Sequence, residues 1–253
     1  MSNPDLLRSA ALWAAQEMGR VHVGDRRRTQ RLVTVTTALA QNPNGTLPST
    51  FTNWTDLRAA YRLFAEPDVT HDAIVAPHTQ RVAQACQVPG EYLLIEDTTT
   101  LSFNTHPARR IVGCYIQRWL IEEFHKALKT GTQVEASQLA TGRALEALGA
   151  VLSLVALRLL ETKLYARAFP DQPVRPGQFA LELIRLLAAR VGCPHGGWTQ
   201  RSVWRGIARC GGFLARRGDG EPGWITIWRG WRSLLTMVEG VVLYRKNGGK
   251  KCG

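Results

Sequence analysis

Tyr115, Arg118, Glu122 and Lys129 stand at i, i+3, i+7 and i+14 in the stretch YIQRWLIEEFHKALK. At about 100° per residue, a helix brings all four within roughly 60° of one another. One face then carries an aromatic hydroxyl, a guanidinium, a carboxylate and an ammonium. Such a face is costly to bury and suits a metal ion beside a phosphate backbone: the carboxylate ligates the ion and the cations hold phosphate oxygens. The same spacing also describes an exposed face laced with ion pairs. Upstream, Asp97 follows the short apolar run Tyr92-Leu93-Leu94-Ile95, whose texture is that of a buried strand. A carboxylate at the end of a buried strand is well placed to hold a divalent cation, although Asp also ends strands for reasons of turn chemistry.

The elements that position these residues are mostly helical. Residues 4–20 read as a helix with Leu6, Leu7, Ala10, Ala14 and Met18 on its apolar face. Asp25 caps a second helix that ends at Asn42-Pro43, with Arg26, Arg27, Arg28 and Arg31 in its first turns and Leu32, Val35 and Leu39 further on. In the next segment Leu57, Tyr61 and Phe64 fall at i, i+4 and i+7, and Arg58 and Arg62 share a neighbouring stripe. Two basic helices in the first hundred residues favour a DNA-binding head in which these arginines meet phosphates; a solvated arginine face is the bland alternative. Thr70 opens a further helix, interrupted near Pro77, that reaches about Cys86. Leu101 to Phe103 can form a strand paired with 92–95. A long helix from near Tyr115 stops at Gly131, another runs from about Glu135 to Ala168, and Pro170, Pro173 and Pro176 form a linker. Near the carboxy terminus Trp224, Trp228, Trp231, Leu235, Val238 and Val242 alternate by four and three, a seam for the chain's own helices or for a partner helix, and Gly230 and Gly240 weaken that helix.

Composition narrows the classes. The chain has 253 residues and is 45% hydrophobic, enough for a core. Its 32 Lys and Arg against 20 Asp and Glu give a formal charge of +12, which favours a polyanionic partner. The greasiest run, 147–157, is too short to span a bilayer, and the charged first helix is no secretory signal. Five scattered cysteines suggest reduced thiols in the cytoplasm. A zinc site from Cys193, His195 and Cys210 can be drawn, but spacing favours buried or incidental thiols.

The motifs together resemble the cut-and-paste DDE transposases of bacterial insertion sequences, in the subgroup named for its Tyr-Arg-Glu-Lys signature. The pattern Y-x2-R-x3-E-x6-K is complete at Tyr115, Arg118, Glu122 and Lys129. GDRRRTQRL at 24–32, AAYRLF at 59–64 and DTTTLSF at 97–103 resemble the family's end-binding head and first catalytic strand, and GGFLARRGDGEPGWITIWRGW at 211–231 its carboxy-terminal region. The resemblance covers nearly the whole chain. It implies a catalytic and metal-binding role for Asp97 and Glu122, which with a second Asp would hold Mg²⁺. It further implies end-phosphate contacts from Tyr115, Arg118 and Lys129, dimer contacts near the carboxy terminus, and a bacterial, cytoplasmic, nucleoid-associated setting.

One departure is large. Only 17 residues separate Asp97 from Tyr115, none of them an Asp. Family members carry there most of a ribonuclease-H-like sheet, the second Asp and a β-rich insertion. The chain therefore reads as an internally deleted transposase, mostly α. Its parts are a helical DNA-binding head (1–90), a truncated core with a small β remnant (91–168) and a helical carboxy-terminal dimerisation region (169–253). The expected activity is binding to the inverted repeats at element ends in double-stranded DNA, with pairing as a homodimer or with intact transposase, weak or absent Mg²⁺ binding, and defective catalysis. An active Mg²⁺-dependent transposase and a non-functional relic are the alternatives.

Overall fold

Polar residues set the helix starts. Ser9, Asp25, Asn53, Thr70, Thr141 and Thr199 each stand directly before a helix, and each side chain accepts a backbone N–H from its first turn. The computed structural model describes residues 9–90, 92 and 119–247. In chain order these form α1 (Ala10–Met18), α2 (Arg26–Gln41), α3 (Leu47–Thr50), α4 (Trp54–Ala65), α5 (His71–Ala85), α6 (Trp119–Lys126), α7 (Gly142–Ala168), α8 (Leu181–Val191), α9 (Gln200–Cys210) and α10 (Trp224–Asn247). A π-helical turn, Ala127–Gly131, extends α6, and a short 3-10 turn, Val134–Ala136, follows it. The mostly α expectation holds: among the described residues the only β pairing is an isolated bridge between Pro173 and Thr199. The proposed strands at 92–95 and 101–103, with Asp97, Tyr115 and Arg118, lie outside the described residues apart from Tyr92. The Tyr92 hydroxyl donates to the carbonyls of Ala85 and Val88 and so closes the end of α5.

Several boundaries differ from expectation. The helix expected from about Glu135 begins at Gly142, because Thr141 caps it by accepting from Ala144 N at 3.2 Å. α1 starts at Ala10, where Ser9 provides the cap, and residues 4–8 of the expected helix lie outside the described residues. Pro77 does not interrupt α5, which is continuous from His71 to Ala85. Proline in a helix removes one amide donor and crowds the preceding turn, and here the buried Ile74 keeps that side of the helix packed through the defect.

The spine is α7. Ala147, Leu148, Ala150, Val151, Leu152, Val155 and Ala156 are almost wholly enclosed, and they span roughly two thirds of the circumference. So wide an apolar face needs cover from several sides, and α2, α4, α5, α6 and α9 pack against it. Each fully buried Leu or Val contributes roughly 1.5–3 kcal/mol relative to exposure. Among the described residues no helix is long and apolar enough to cross a membrane.

The tryptophan seam divides. Trp224, Trp228 and Trp231 are buried with Ile227 and Leu234, whereas Leu235 and Val238 are half-buried and Val242 is exposed. Trp224 stacks on Trp228 at 5.2 Å between ring centroids, and Trp231 stacks on Trp204 of α9 at 6.1 Å. The first half of the seam thus belongs to the chain's own core, and the second half is open. The stretch with Pro170, Pro173 and Pro176 is docked onto this region: Val174 N donates to Trp198 O at 2.9 Å, and the buried amides of Gln178 and Gln200 exchange hydrogen bonds at 2.9 Å.

Glycines allow α9 and α10 to touch through their backbones. A Cβ on Gly230 would lie 1.7 Å from the Ile207 carbonyl oxygen, and one on Gly211 would lie 2.0 Å from that of Thr226. Neither backbone can retreat without opening the tryptophan core. Gly230→Ala is expected to lower stability by at least about 2 kcal/mol through overpacking. Gly240→Ala, with nothing within 4 Å of the added carbon, should instead raise it by up to about 1 kcal/mol through helix propensity. Urea midpoints of the two variants, moving in opposite directions from the wild type, check both.

Candidate nucleic-acid interface

Asp25 accepts from Arg28 N at 2.9 Å and starts α2, and that backbone hydrogen bond holds its carboxyl below the usual range. The arginines that follow divide into two sets. Arg28 is half-buried and bridges to Glu66 at 2.5 Å and Asp68 at 2.8 Å, while Arg31 bridges to Asp56 at 3.2 Å. These pairs fasten α2 to both ends of α4. Arg26 and Arg27 on α2 and Arg58 and Arg62 on α4 are exposed and make no ion pair with a described residue. Leu57, Ala60, Leu63 and Phe64 hold the other face of α4 in the core, which keeps Arg58 and Arg62 turned outward one turn apart. Trp54, four residues before Arg58, is 71% exposed on the same stripe. The sequence reading missed it, although its i−4 spacing from Arg58 was legible.

In α6, Glu122 and Lys129 line one open groove with His125, Lys126 and Thr130. The structure therefore brings these two signature residues together. Lys129 sits in the π-helical turn, a local widening often found at functional positions. Among the described residues, the groove holds one carboxylate and two ammonium groups, and no group of three His, Cys, Asp or Glu side chains is arranged around a common metal position. Asp97, the other ligand that the resemblance implies, lies outside the described residues.

The neighbouring residue, Glu123, has a structural role that the sequence reading missed. It accepts from Lys163 Nζ of α7 at 2.5 Å and from Trp224 Nε1 of α10 at 2.8 Å. Lys163 is almost fully buried and lies 4.0 Å from the Trp224 ring centroid, a cation–π contact. Burial pulls the Lys163 ammonium down to about 8, against the opposing pull of Glu123. Burial alone would raise Glu123, but its bonds from Lys163 and Trp224 and the charges of Lys163 and Arg167 outweigh that and leave it below its ordinary value. Both groups are therefore charged at neutral pH, and the pair anchors the signature helix to the spine and to the tryptophan helix.

Asn44, just beyond α2, makes the second connection. Its amide donates to Thr130 O at 2.8 Å and Gly131 O at 3.4 Å, and its carbonyl oxygen accepts from Arg232 Nε at 2.9 Å and from Gln133 Nε2 at 3.3 Å. Gln133 itself takes a left-handed backbone, φ 49°, which turns the chain out of the π turn. Gly131 lies against Trp228, where a Cβ would stand 2.5 Å from the indole. A third buried network, Glu17 of α1 with Arg81 at 2.6 Å and His78 at 3.3 Å, joins α1 to α5. There, too, the hydrogen bonds overcome the effect of burial and keep the carboxyl low.

Two family models match this chain. A transposase DNA-binding model matches residues 10–69, which span α1 to α4 and include Arg26, Arg27, Arg28, Arg31, Arg58 and Arg62. A transposase Tn5 dimerisation-domain model matches residues 186–249, which include α9, α10 and the tryptophan seam. The class of protein is thus a DNA-binding one. More particularly, the chain is transposase-related, with a DNA-binding part and a dimerisation part built onto one helical spine.

Replacing Glu123 by Gln leaves Lys163 without its counter-charge. Stability should fall by roughly 2–3 kcal/mol, less than for a fully buried orphaned charge because Glu123 keeps some exposure and Gln can still accept from Trp224. The pH dependence has a definite sign. The folded state holds the Lys163 proton less tightly than the unfolded chain does, so this group adds stability as pH rises from about 8 toward its ordinary value of 10.5. Thermal melts of wild type and Lys163→Met across that window should show wild type gaining relative to the variant.

Proposed function

We propose that the protein binds double-stranded DNA at transposon-end inverted repeats and pairs through its carboxy-terminal region, as a homodimer or with an intact transposase, without itself cutting DNA. The carrying observation is that Arg26, Arg27, Arg58 and Arg62 stand exposed on two packed helices, without acidic partners among the described residues, inside the stretch matched as transposase DNA-binding. Arg28 and Arg31 tie those helices together through Glu66, Asp68 and Asp56, so the exposed arginines meet phosphates from a fixed pair of helices.

Support for loss of catalysis is chemical. Mg²⁺ in a two-metal site neutralises charge on the phosphodiester and activates the attacking oxygen, and it needs carboxylates that fix both ions. Of the family-implied pair, Glu122 has Lys126 and Lys129 as its groove neighbours, and the 17-residue spacer from Asp97 to Tyr115 offers no second Asp. An internal deletion in a transposase of the Tyr-Arg-Glu-Lys subgroup accounts for that spacer. A chain that keeps end recognition and pairing but not cleavage would inhibit transposition by occupying ends or joining an intact subunit. Its setting would be the bacterial nucleoid.

A fluorescence anisotropy titration at near-physiological salt, with an element-end duplex against a scrambled one, tests the reading. The wild type should prefer the end duplex, and Arg58→Ala/Arg62→Ala should weaken binding on the order of tenfold or more. Equal affinity for both duplexes would contradict end recognition. Incubation of the end duplex with protein and Mg²⁺ should leave both strands intact, and strand cleavage would contradict the catalytic part.

A further inference from the structure

Most of the positive surplus of this chain lies outside the matched DNA-binding head. Residues 9–90 carry 8 Lys and Arg against 6 Asp and Glu, whereas residues 169–247 carry 12 against 5. Electrostatic affinity for a duplex follows the density of such charge, so the head alone does not account for the +12 surplus.

Much of the surplus gathers on the hairpin formed by α9, the loop 211–223 and the start of α10. Val203, Trp204, Ile207 and Ala208 face the core, which leaves Arg201, Arg205 and Arg209 at i, i+4 and i+8 along the outer side of α9. The loop folds back on that side: Arg205 donates to Gly220 O at 3.0 Å, and the single carboxylate of Glu221 pairs with both Arg201 at 3.3 Å and Arg205 at 3.4 Å. Between these anchors a turn closed by Asp219, which accepts from Arg216 N at 2.8 Å, presents Arg216 and Arg217. Both are exposed, as are Arg209 and Arg229, and none of the four makes an ion pair with a described residue.

We propose that this hairpin is a second DNA-binding surface, which grips duplex phosphates without regard to sequence while the head reads the element end. An arginine turn held by its own backbone loses little freedom on binding, and guanidinium groups are matched to phosphate oxygens. The proposal rests on the chain being a DNA-binding protein and not on the head discriminating between sequences.

The test uses the full chain and a duplex of unrelated sequence, with affinity measured across a salt series. Arg209→Ser/Arg216→Ser/Arg217→Ser should weaken binding on the order of tenfold or more at near-physiological salt. It should also lower the slope of log affinity against log salt by roughly 2–3, close to one unit per lost phosphate contact. Replacing the same three residues by Lys should restore most of the slope. A triple-Ser variant with the wild-type affinity and slope would overturn the proposal, as would tighter wild-type binding to duplex RNA of the same sequence. If the triple variant melts below the wild type, Arg216→Ser/Arg217→Ser, confined to the exposed turn, carries the same comparison with a slope change of about 2. Loss of preference for end over scrambled duplex would count against the head reading alone, because this comparison uses unrelated sequence throughout.

Discussion

The fold depends on the side chain of Asn44. It is almost fully buried, and its amide hydrogens and carbonyl lone pairs all have partners: Thr130 and Gly131 on one side, Arg232 and Gln133 on the other. Leaving even one such buried group unpaired costs about 1–3 kcal/mol. Through this one residue the loop after α2 holds both the end of the signature helix and the middle of α10. The π turn, the left-handed Gln133 and the glycine against Trp228 are the backbone adjustments that bring three distant segments to one amide.

A second tie repeats the logic with charge. Glu123 draws Lys163 of the spine and Trp224 of α10 together, so α6 is held at one end by an amide and along its length by an ion pair. Such a pair is a weak source of net stability, because desolvation offsets much of the Coulomb attraction, but breaking it is expensive. It therefore acts as a specification of register, fixing where the signature helix lies relative to the spine and to the dimerisation-matched stretch. The exposed arginines of the head and those of the α9–α10 hairpin consequently belong to one folded body and not to parts joined by a slack connection.

Local physics was legible in the sequence and long-range partnership was not. Asp25, Thr70 and the Leu57–Phe64 spacing declared their helices, because caps and apolar periodicity act within a few residues. The start of α7 was missed because the intervening Val134–Ala136 turn is as apolar as a helix and only the Thr141 cap marks the boundary. Glu122 stood out by its motif, while its neighbour Glu123 did not, since nothing in a linear pattern reveals that Lys163 and Trp224 converge on it. Arg28 and Arg31 looked identical to Arg26 and Arg27, and only the positions of Glu66, Asp68 and Asp56 separate anchoring arginines from exposed ones. The tryptophan seam was read as one stripe, but Gly211 and Gly230 let α9 approach so closely that its first half is core.

The central claim is that Asn44 unites the head, the signature helix and the carboxy-terminal helices into one cooperative body. Backbone hydrogen exchange of Asn44→Leu, read by mass spectrometry peptide by peptide against the wild type, tests it most directly. The account predicts faster exchange both in peptides from α2 and α4 and in peptides from α9 and α10, the last joined to Asn44 by Arg232, 188 residues away in sequence. Faster exchange confined to the loop around residue 44, with α9 and α10 protected as in the wild type, would contradict it.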